Sequence, residues 1–482
     1  MSADIAIIGL GVMGSNIARN FSRHGFKVAI YNIDYSFTER LMSTPDGVNM
    51  VPCRTYEDVV SNLKLPRKIL LLVTAEAVDV VYKPFLPLLE GGDIIIDGGN
   101  AHWKDTERRQ KEVEEFEKDH SDVNNKKRIH YIGMGVSGGE YGALNGPSLM
   151  FGGDKLAWEA CKPILLEIAA KSPEGEPCAA YLGNKGAGHF VKMVHNAIEY
   201  SDMQLIAETY DILKKLFKLN SDQISEIFGK WNSETSLLRS YLIHITQLVT
   251  KQKEIIDNKS VPLIDLILDK AGQKGTGKWA AQDSFDFGIP TPAFCEAVCA
   301  REVSALKEER VIASKAFSDR KTYSNQNLLK ITIDDLEKAL YAAKISSYAQ
   351  GFAMIKAASD EYNYGTRIHD CAKIWRGGCI IRANFLSEVA ANYTDDTNNL
   401  MLIDYFAKSL EERIESWRKV VAVCVLDGIP VSLFSTSLAY FDSYTSEVLP
   451  ANLLQGLRDF FGAHTYQRID KPGSFHTQWN QE

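Results

Sequence analysis

Across 482 residues there is no CxxC pair, no HExxH, no cluster of cysteine with histidine, and no apolar run that approaches the length of a membrane span. Each absence excludes something. The eight cysteines, at 53, 161, 178, 295, 299, 371, 379 and 424, are scattered, which argues against a zinc module and fits reduced, mostly buried thiols of a cytoplasmic protein. The ten histidines suggest no metal site either. Positive charge is in short supply: 54 lysines and arginines face 62 acidic residues, for a net charge of −8. A general nucleic-acid binder needs a basic face, so none is expected, and an anionic ligand would need a locally basic pocket. The opening "MSADIAIIGLGVMG" lacks a basic-then-apolar leader and runs straight into a strand. A soluble cytoplasmic protein, bound to neither membrane nor nucleic acid, is the expectation.

What is present fits a folded protein of two or three domains, with 45% apolar and 24% charged residues. The first third alternates short β-rich runs ("DIAIIGL", "KVAIYNI", "KILLLVT", "GDIIIDGG", "IHYIGMGVSGG") with helical ones, which predicts a doubly wound, mostly parallel sheet. The charged "RRQKEVEEFEKDHSDVNNKKR" between two of these strands reads as a solvated helix and loop. The Pro- and Gly-rich "KSPEGEPCAAYLGNKGAG" (171–188) is the best boundary, and beyond it helical periodicity dominates. The expected division is an α/β dinucleotide-binding domain over 1–178, an all-helical domain over 179–450 and a tail over 451–482. The helical part looks duplicated: "KMVHNAIEYSDMQLIAETYDIL" from Lys192 aligns with "KALYAAKISSYAQGFAMIKAAS" from Lys338, with Gln204 on Gln350.

Within the first of those copies, Lys192, His195, Asn196 and Glu199 share one face of an otherwise apolar helix. The second copy keeps Lys338 but carries Tyr341, Ala342 and Ile345 in place of the other three. Packing alone can therefore build this helix without the polar line. An internal salt bridge would be the structural explanation; buried ionisable groups set together are more often a site. At the N-terminus, Gly9, Gly11 and Gly14 form GxGxxG between a strand and a helix, the arrangement that cradles a dinucleotide pyrophosphate. Asp34 lies 20 residues beyond Gly14, where an acid usually accepts the ribose 2′-hydroxyl of NAD and repels a 2′-phosphate. "AGQKGTGKW" (271–279) imitates a P-loop, but Trp279 stands where a magnesium-binding hydroxyl is required and a helical segment is expected before it. A single bound phosphate suits that loop better.

These segments together, "GLGVMGSN", "IIIDGGN", "GMGVSGGEYGALNGPSLMFGG", "GAGHFVKMVHNAIEY", "AGQKGTGKW", "EAVCAR" and "LRDFFGAHTY", resemble the decarboxylating 6-phosphogluconate dehydrogenases, in order from residue 4 to about residue 479. The resemblance implies oxidation of 6-phosphogluconate to ribulose 5-phosphate and CO2 with NADP and no metal. It implies homodimers or larger assemblies such as tetramers, each active site completed by the neighbour's tail. Carried over by position, Lys192 is the general base and Glu199 the general acid. Asn100, Ser137, Gly138, Gly139, His195 and Asn196 hold the sugar acid, and Tyr200, Lys274, Thr276 and Arg301 match contacts around its phosphate, with Arg458 and His464 reaching in from the partner chain. Gly9, Gly11, Val12, Met13, Gly14, Asn32, Ile33, Asp34, Val73, Thr74, Ala75 and Asn100 match coenzyme positions.

Some positions depart from the family's common pattern. Ile33 and Asp34 replace an arginine and a threonine, Thr74 a frequent lysine, and Trp103 is an unusual neighbour for Asn100. The first two lean toward NAD; NADP remains the expectation, with Asn32 and backbone amides available to a phosphate. A β-hydroxyacid dehydrogenase acting on a smaller substrate would share the GxGxxG and the lysine helix but would not require Arg301 or the Lys274 loop.

Overall fold

The computed structural model describes residues 2–120, 128–318 and 330–479. Eight strands form one sheet: β1 (Ile5–Ile8), β2 (Val28–Tyr31), β3 (Met50–Pro52), β4 (Lys68–Leu71), β5 (Ile94–Asp97), β6 (His130–Ser137), β7 (Ser148–Gly152) and β8 (Ala179–Gly183). Their order is β3-β2-β1-β4-β5-β6-β7-β8, parallel throughout except for the antiparallel β6–β7 pair. The strand order reverses between β1 and β4, and a parallel sheet of this kind takes its ligand outside the carboxyl ends of the strands at that point. Helix α1 (Val12–Arg23) follows β1, α2 (Tyr35–Met42) follows β2, and α3 (Trp103–His120) follows β5.

Five strands fall on the five apolar runs read from the sequence. The other three do not announce themselves: β3 is three residues with a proline, and β7 and β8 are glycine-bounded. β8 begins past residue 178, so the sheet extends five residues beyond the expected boundary. The Pro- and Gly-rich stretch before it is a tight turn, closed by Ser172 N–H to Glu176 O at 2.7 Å and by a bridge between Lys171 and Pro177. The charged run after β5 is also less solvated than expected. Arg109 is buried in α3 and pairs with Asp79 at 3.0 Å and with buried Asp97 at 3.3 Å; the loop part of that run, 121–127, lies outside the described residues.

Two long helices, α4 (Ala187–Lys215) and α7 (Ile333–Tyr362), pack together as the axis of the helical domain. Between them come α5 (Thr276–Asp286) and α6 (Pro292–Ala305), and the tail begins with α8 (Ala451–Gly462). Strand does not vanish here. An exposed hairpin, β9 (Lys253–Ile256) with β10 (Lys259–Pro262), precedes the 271–279 loop where a helical segment was expected. Its alternation is weak because both of its faces are exposed.

The start of α4 lies backbone against backbone on the sheet. A Cβ at Gly188 would overlap Gly133 O and Met150 O, and one at Gly135 would overlap the Lys192 side chain. The glycines of the two motifs are thus a contact surface that brings Lys192 to the end of β6.

Candidate active site

The coenzyme positions gather at the carboxyl ends of β1, β2 and β4. Gly9 turns at φ 92°, and a Cβ there would lie 2.7 Å from Leu72 O and 2.8 Å from Val73 Cγ1. A Cβ at Gly14 would overlap Gly9's carbonyl oxygen, whereas one at Gly11 meets no protein atom within 4 Å. Two of the three glycines therefore serve the strand-to-helix turn. The third faces open space at the N-terminus of α1, where Val12 is exposed and Met13 partly so, as a cradle for a pyrophosphate requires. These residues fit a dinucleotide.

Asn32 is a structural tie as well as a candidate contact: its Oδ1 accepts Leu10 N–H at 2.9 Å and its Nδ2 donates to Asp34 O at 3.0 Å, leaving one amide hydrogen for a ligand. Ile33 is exposed. Asp34 caps α2 by accepting Ser36 N–H at 3.0 Å, and the Ser36 hydrogen bonds hold its carboxyl below the usual range. Thr74 precedes the short turn Ala75–Ala77, and Asn100 is exposed just beyond β5.

The polar line of α4 is buried as a unit. Lys192, His195 and Asn196 are buried and Glu199 keeps only a fifth of its side chain exposed. His195 Nε2 lies 3.4 Å from Ser137 Oγ at the end of β6, and its Nδ1 lies 3.1 Å from Asn196 Oδ1 and 3.9 Å from Glu199 Oε2. Asn196 Nδ2 donates to Thr276 Oγ1 at 3.1 Å. Gly138 and Gly139 follow Ser137 at positive φ, 130° and 59°.

Burial sets the electrostatics. It lowers the pKa of Lys192, against the opposing pull of Glu199 and the Cys379 thiol. Burial and then the Lys192 charge hold His195 well below the ordinary histidine range. Burial raises Glu199, with Lys192 and Arg301 opposing. Acid and base are thus each biased toward the neutral form, the condition under which both can exchange protons near neutrality. In the second long helix, Lys338 lies on the surface paired with Asp334 at 2.7 Å.

Next to Glu199, Tyr200 underlies a cationic corner. The Arg301 guanidinium of α6 sits 3.6 Å over its ring, donates to Gly272 O at 2.9 Å, and Lys274 N–H approaches Tyr200 Oη at 3.4 Å. Two candidates stay apart from this cluster: Arg458 is on the exposed face of α8, bonded at 3.1 Å to Gln455, and His464 packs on Phe461. The tail folds around a residue that sequence reading missed, Asp459, which accepts Thr465 N–H, Thr477 N–H and Trp479 Nε1–H within 3.1 Å and faces His476 Nδ1 at 2.9 Å. Tyr466 packs against both Phe475 and Trp479, while Leu453, Leu454, Leu457, Phe460 and Phe461 stay exposed. Also missed were the buried Lys344–Asp202 ion pair between α7 and α4, Asp283, and Cys379. No spacing rule could have paired residues more than a hundred positions apart.

Two family models cover the chain: the NAD binding domain of 6-phosphogluconate dehydrogenase over residues 4–183 and the 6-phosphogluconate dehydrogenase C-terminal domain over residues 188–479. The NADP(+)-dependent decarboxylating 6-phosphogluconate dehydrogenase of Bacillus subtilis is 49% identical over 98% of both chains. The NAD(+)-dependent enzyme of the same organism is 46% identical over the full length of both. The Plasmodium falciparum 6-phosphogluconate dehydrogenase, solved in its apo form, with NADP+ and with 6-phosphogluconate, superposes with a TM-score of 0.90 at 42% identity, covering 99% of this chain and 100% of that one. The chain belongs to the 6-phosphogluconate dehydrogenase family.

Proposed function

We propose that the protein oxidises 6-phospho-D-gluconate and decarboxylates it to D-ribulose 5-phosphate and CO2, with NADP as electron acceptor, in the cytoplasm as a step of the oxidative pentose phosphate pathway. One observation carries the reading: a buried acid–base line on α4, running from Lys192 against Gly135 through His195 beside Ser137 to Glu199 beside the Arg301–Tyr200–Lys274 corner. Lys192, biased toward its neutral amine, takes the proton of the 3-hydroxyl. The coenzyme, whose pyrophosphate the Gly9–Gly14 turn would hold, would supply the hydride acceptor for C3. Lys192, now protonated, donates to the 3-keto oxygen, and that polarisation draws in the electrons of the C1–C2 bond as CO2 departs. Glu199, whose protonated form burial favours, delivers its proton to the carbon that becomes C1 of the ketose. His195 and Asn196 orient the sugar hydroxyls, with Ser137 to Gly139 and Asn100 at the carboxylate end. Arg301, Lys274, Thr276 and Tyr200 take the phosphate, where a guanidinium offers two parallel donors.

Coenzyme reduction, followed by the absorbance of the reduced nicotinamide, tests this. Turnover with 6-phosphogluconate is expected, with kcat/KM for unphosphorylated gluconate at least ~10²-fold lower. No turnover, or equal use of gluconate, would overturn the reading, and the second result would favour a smaller β-hydroxyacid as substrate. Asp34 favours a second reading for the coenzyme alone: its ionised carboxylate stands where a 2′-phosphate would be repelled. The ratio of kcat/KM for NADP and NAD decides between them.

The same reading makes the protein a homodimer with shared sites. The apolar face of α8 and the outlying Arg458 and His464 support it, since five large apolar side chains on one helix call for a partner surface.

A further inference from the structure

Three consecutive side chains of the coenzyme domain converge on one carboxylate of the helical domain. Trp103 Nε1 donates to Asp283 Oδ2 at 2.6 Å, Lys104 Nζ donates to Oδ1 at 3.1 Å, and His102 Nε2 lies 3.4 Å from Oδ2. His102 Nδ1 accepts Lys104's own N–H at 3.2 Å, which leaves the ring hydrogen on Nε2, facing the carboxylate. Asp283 is buried. Burial alone would raise its pKa, but the donors His102, Trp103 and Lys104 hold it below the ordinary value.

Asp283 is not isolated on its helix. Lys104 also reaches Asp286 at 3.0 Å, and Trp279 meets the His102 ring edge to face at 5.5 Å. Residues 279, 283 and 286 are spaced by four and three, so one face of α5 grips the segment that follows Asn100. The first turn of α5 is the phosphate corner: Gly275 at φ 93° starts the helix, and Thr276 accepts from Asn196. Trp103 itself sits in the helical domain's core against Phe190, Tyr362 and Tyr364. An apolar residue at 283 would serve that packing; a buried carboxylate with three donors calls for another reason.

We propose that Asp283 is a positioning residue for the reaction. Through His102, Trp103 and Lys104 it fixes Asn100 relative to the loop that takes the phosphate, so that one rigid helix registers both ends of the substrate. The proposal rests on the function proposed above. A substrate gripped by its phosphate at the start of α5 then presents its reacting end at a set distance, and a misplacement of about 1 Å there costs on the order of 10²-fold in rate.

The test measures kcat, the KM values of 6-phosphogluconate and coenzyme, the primary isotope effect with C3-deuterated substrate, and the melting temperature. The variants are Asp283→Leu, Asp283→Asn and Trp103→Phe. Asp283→Leu is expected to lower kcat by ~10–10²-fold with the coenzyme KM nearly unchanged, and to raise the isotope effect because hydride transfer becomes limiting. Trp103→Phe, which keeps an aromatic ring in the core but removes the N–H along with part of the indole, should move the same readouts in the same direction. Asp283→Asn retains Trp103's acceptor and should fall between; if Asp283→Leu does not fold, the other two carry the test. A lower melting temperature with kcat and isotope effect unchanged would make Asp283 a purely structural residue and overturn the proposal. No turnover by the unaltered protein would overturn the reading of function, and this proposal with it.

Discussion

Gly9 and Gly11 stand two residues apart in one motif, yet substituting each with alanine should fail in different ways. Gly9 adopts φ 92°, and a methyl there would lie 2.7 Å from Leu72 O and 2.8 Å from Val73 Cγ1. Backbone strain in that region costs about 1–3 kcal/mol and overpacking about 1–3 kcal/mol. Together they take a large part of a domain's ordinary stability of roughly 5–15 kcal/mol. At about 2–4 °C per kcal/mol for a domain of this size, melting should fall on the order of ten degrees. Gly11 is different. Its backbone is extended, at φ −66° and ψ −167°, and a Cβ would meet no neighbouring atom of the described residues within 4 Å. Gly11→Ala should stay within about 1 kcal/mol of the parent, while its methyl stands in the path of the pyrophosphate and weakens coenzyme binding at least ~10-fold, about 1.4 kcal/mol. Thermal unfolding and calorimetric titration of coenzyme on both variants separate the two effects. Unaltered coenzyme affinity in Gly11→Ala, or equal destabilisation by both, would refute the reasoning.

Lys344→Met should cost about 3–5 kcal/mol in urea unfolding because it strands the buried Asp202 carboxylate, and Lys344→Met with Asp202→Leu should recover most of it; a silent single variant would show that the pair is not holding the two long helices together. Burial raises the folded pKa of Glu199 above its ordinary 4.5, with Asp202 adding to the rise and Lys192 and Arg301 opposing it. Its contribution to stability is therefore complete below that ordinary value and is lost as pH rises through the folded pKa. Glu199→Gln should gain stability over the parent as pH rises, and a gain on acidification would reverse the assignment. Mixing inactive Lys192→Ala and Arg458→Ala after dissociation and reassembly should restore about a quarter of parental activity if sites are shared across a two-fold axis. Confirmed mixed dimers without activity would place the tail on its own chain.

The sequence shows strands β1, β2, β4, β5 and β6 and the polar line of α4 because both are local patterns. Alternation marks the strands, and helical spacing sets Lys192, His195, Asn196 and Glu199 on one face. It hides whatever depends on distant partners. Arg109 reads as one charge among many in a solvated helix, and its partners Asp79 and Asp97 lie on other elements that meet it only in the fold. Asp283 looks like an ordinary surface acid until α3 delivers Trp103, 180 residues away in sequence. Trp103 stands out in the sequence as an unusual residue, but its surroundings belong to the other domain and are not legible there. β8 lies inside the stretch that reads as the domain boundary, because the turn before it carries a glycine and two prolines.

The central claim is that the buried amine of Lys192 does the proton chemistry while other groups do the binding. Lys192→Met keeps much of the side chain's length and removes only the titrating group. Its turnover of 6-phosphogluconate should fall by at least ~10²–10⁴-fold, while calorimetric affinity for substrate and coenzyme changes by less than about 1.4 kcal/mol, tenfold. Near-normal turnover, or a loss explained entirely by weakened binding, would contradict it.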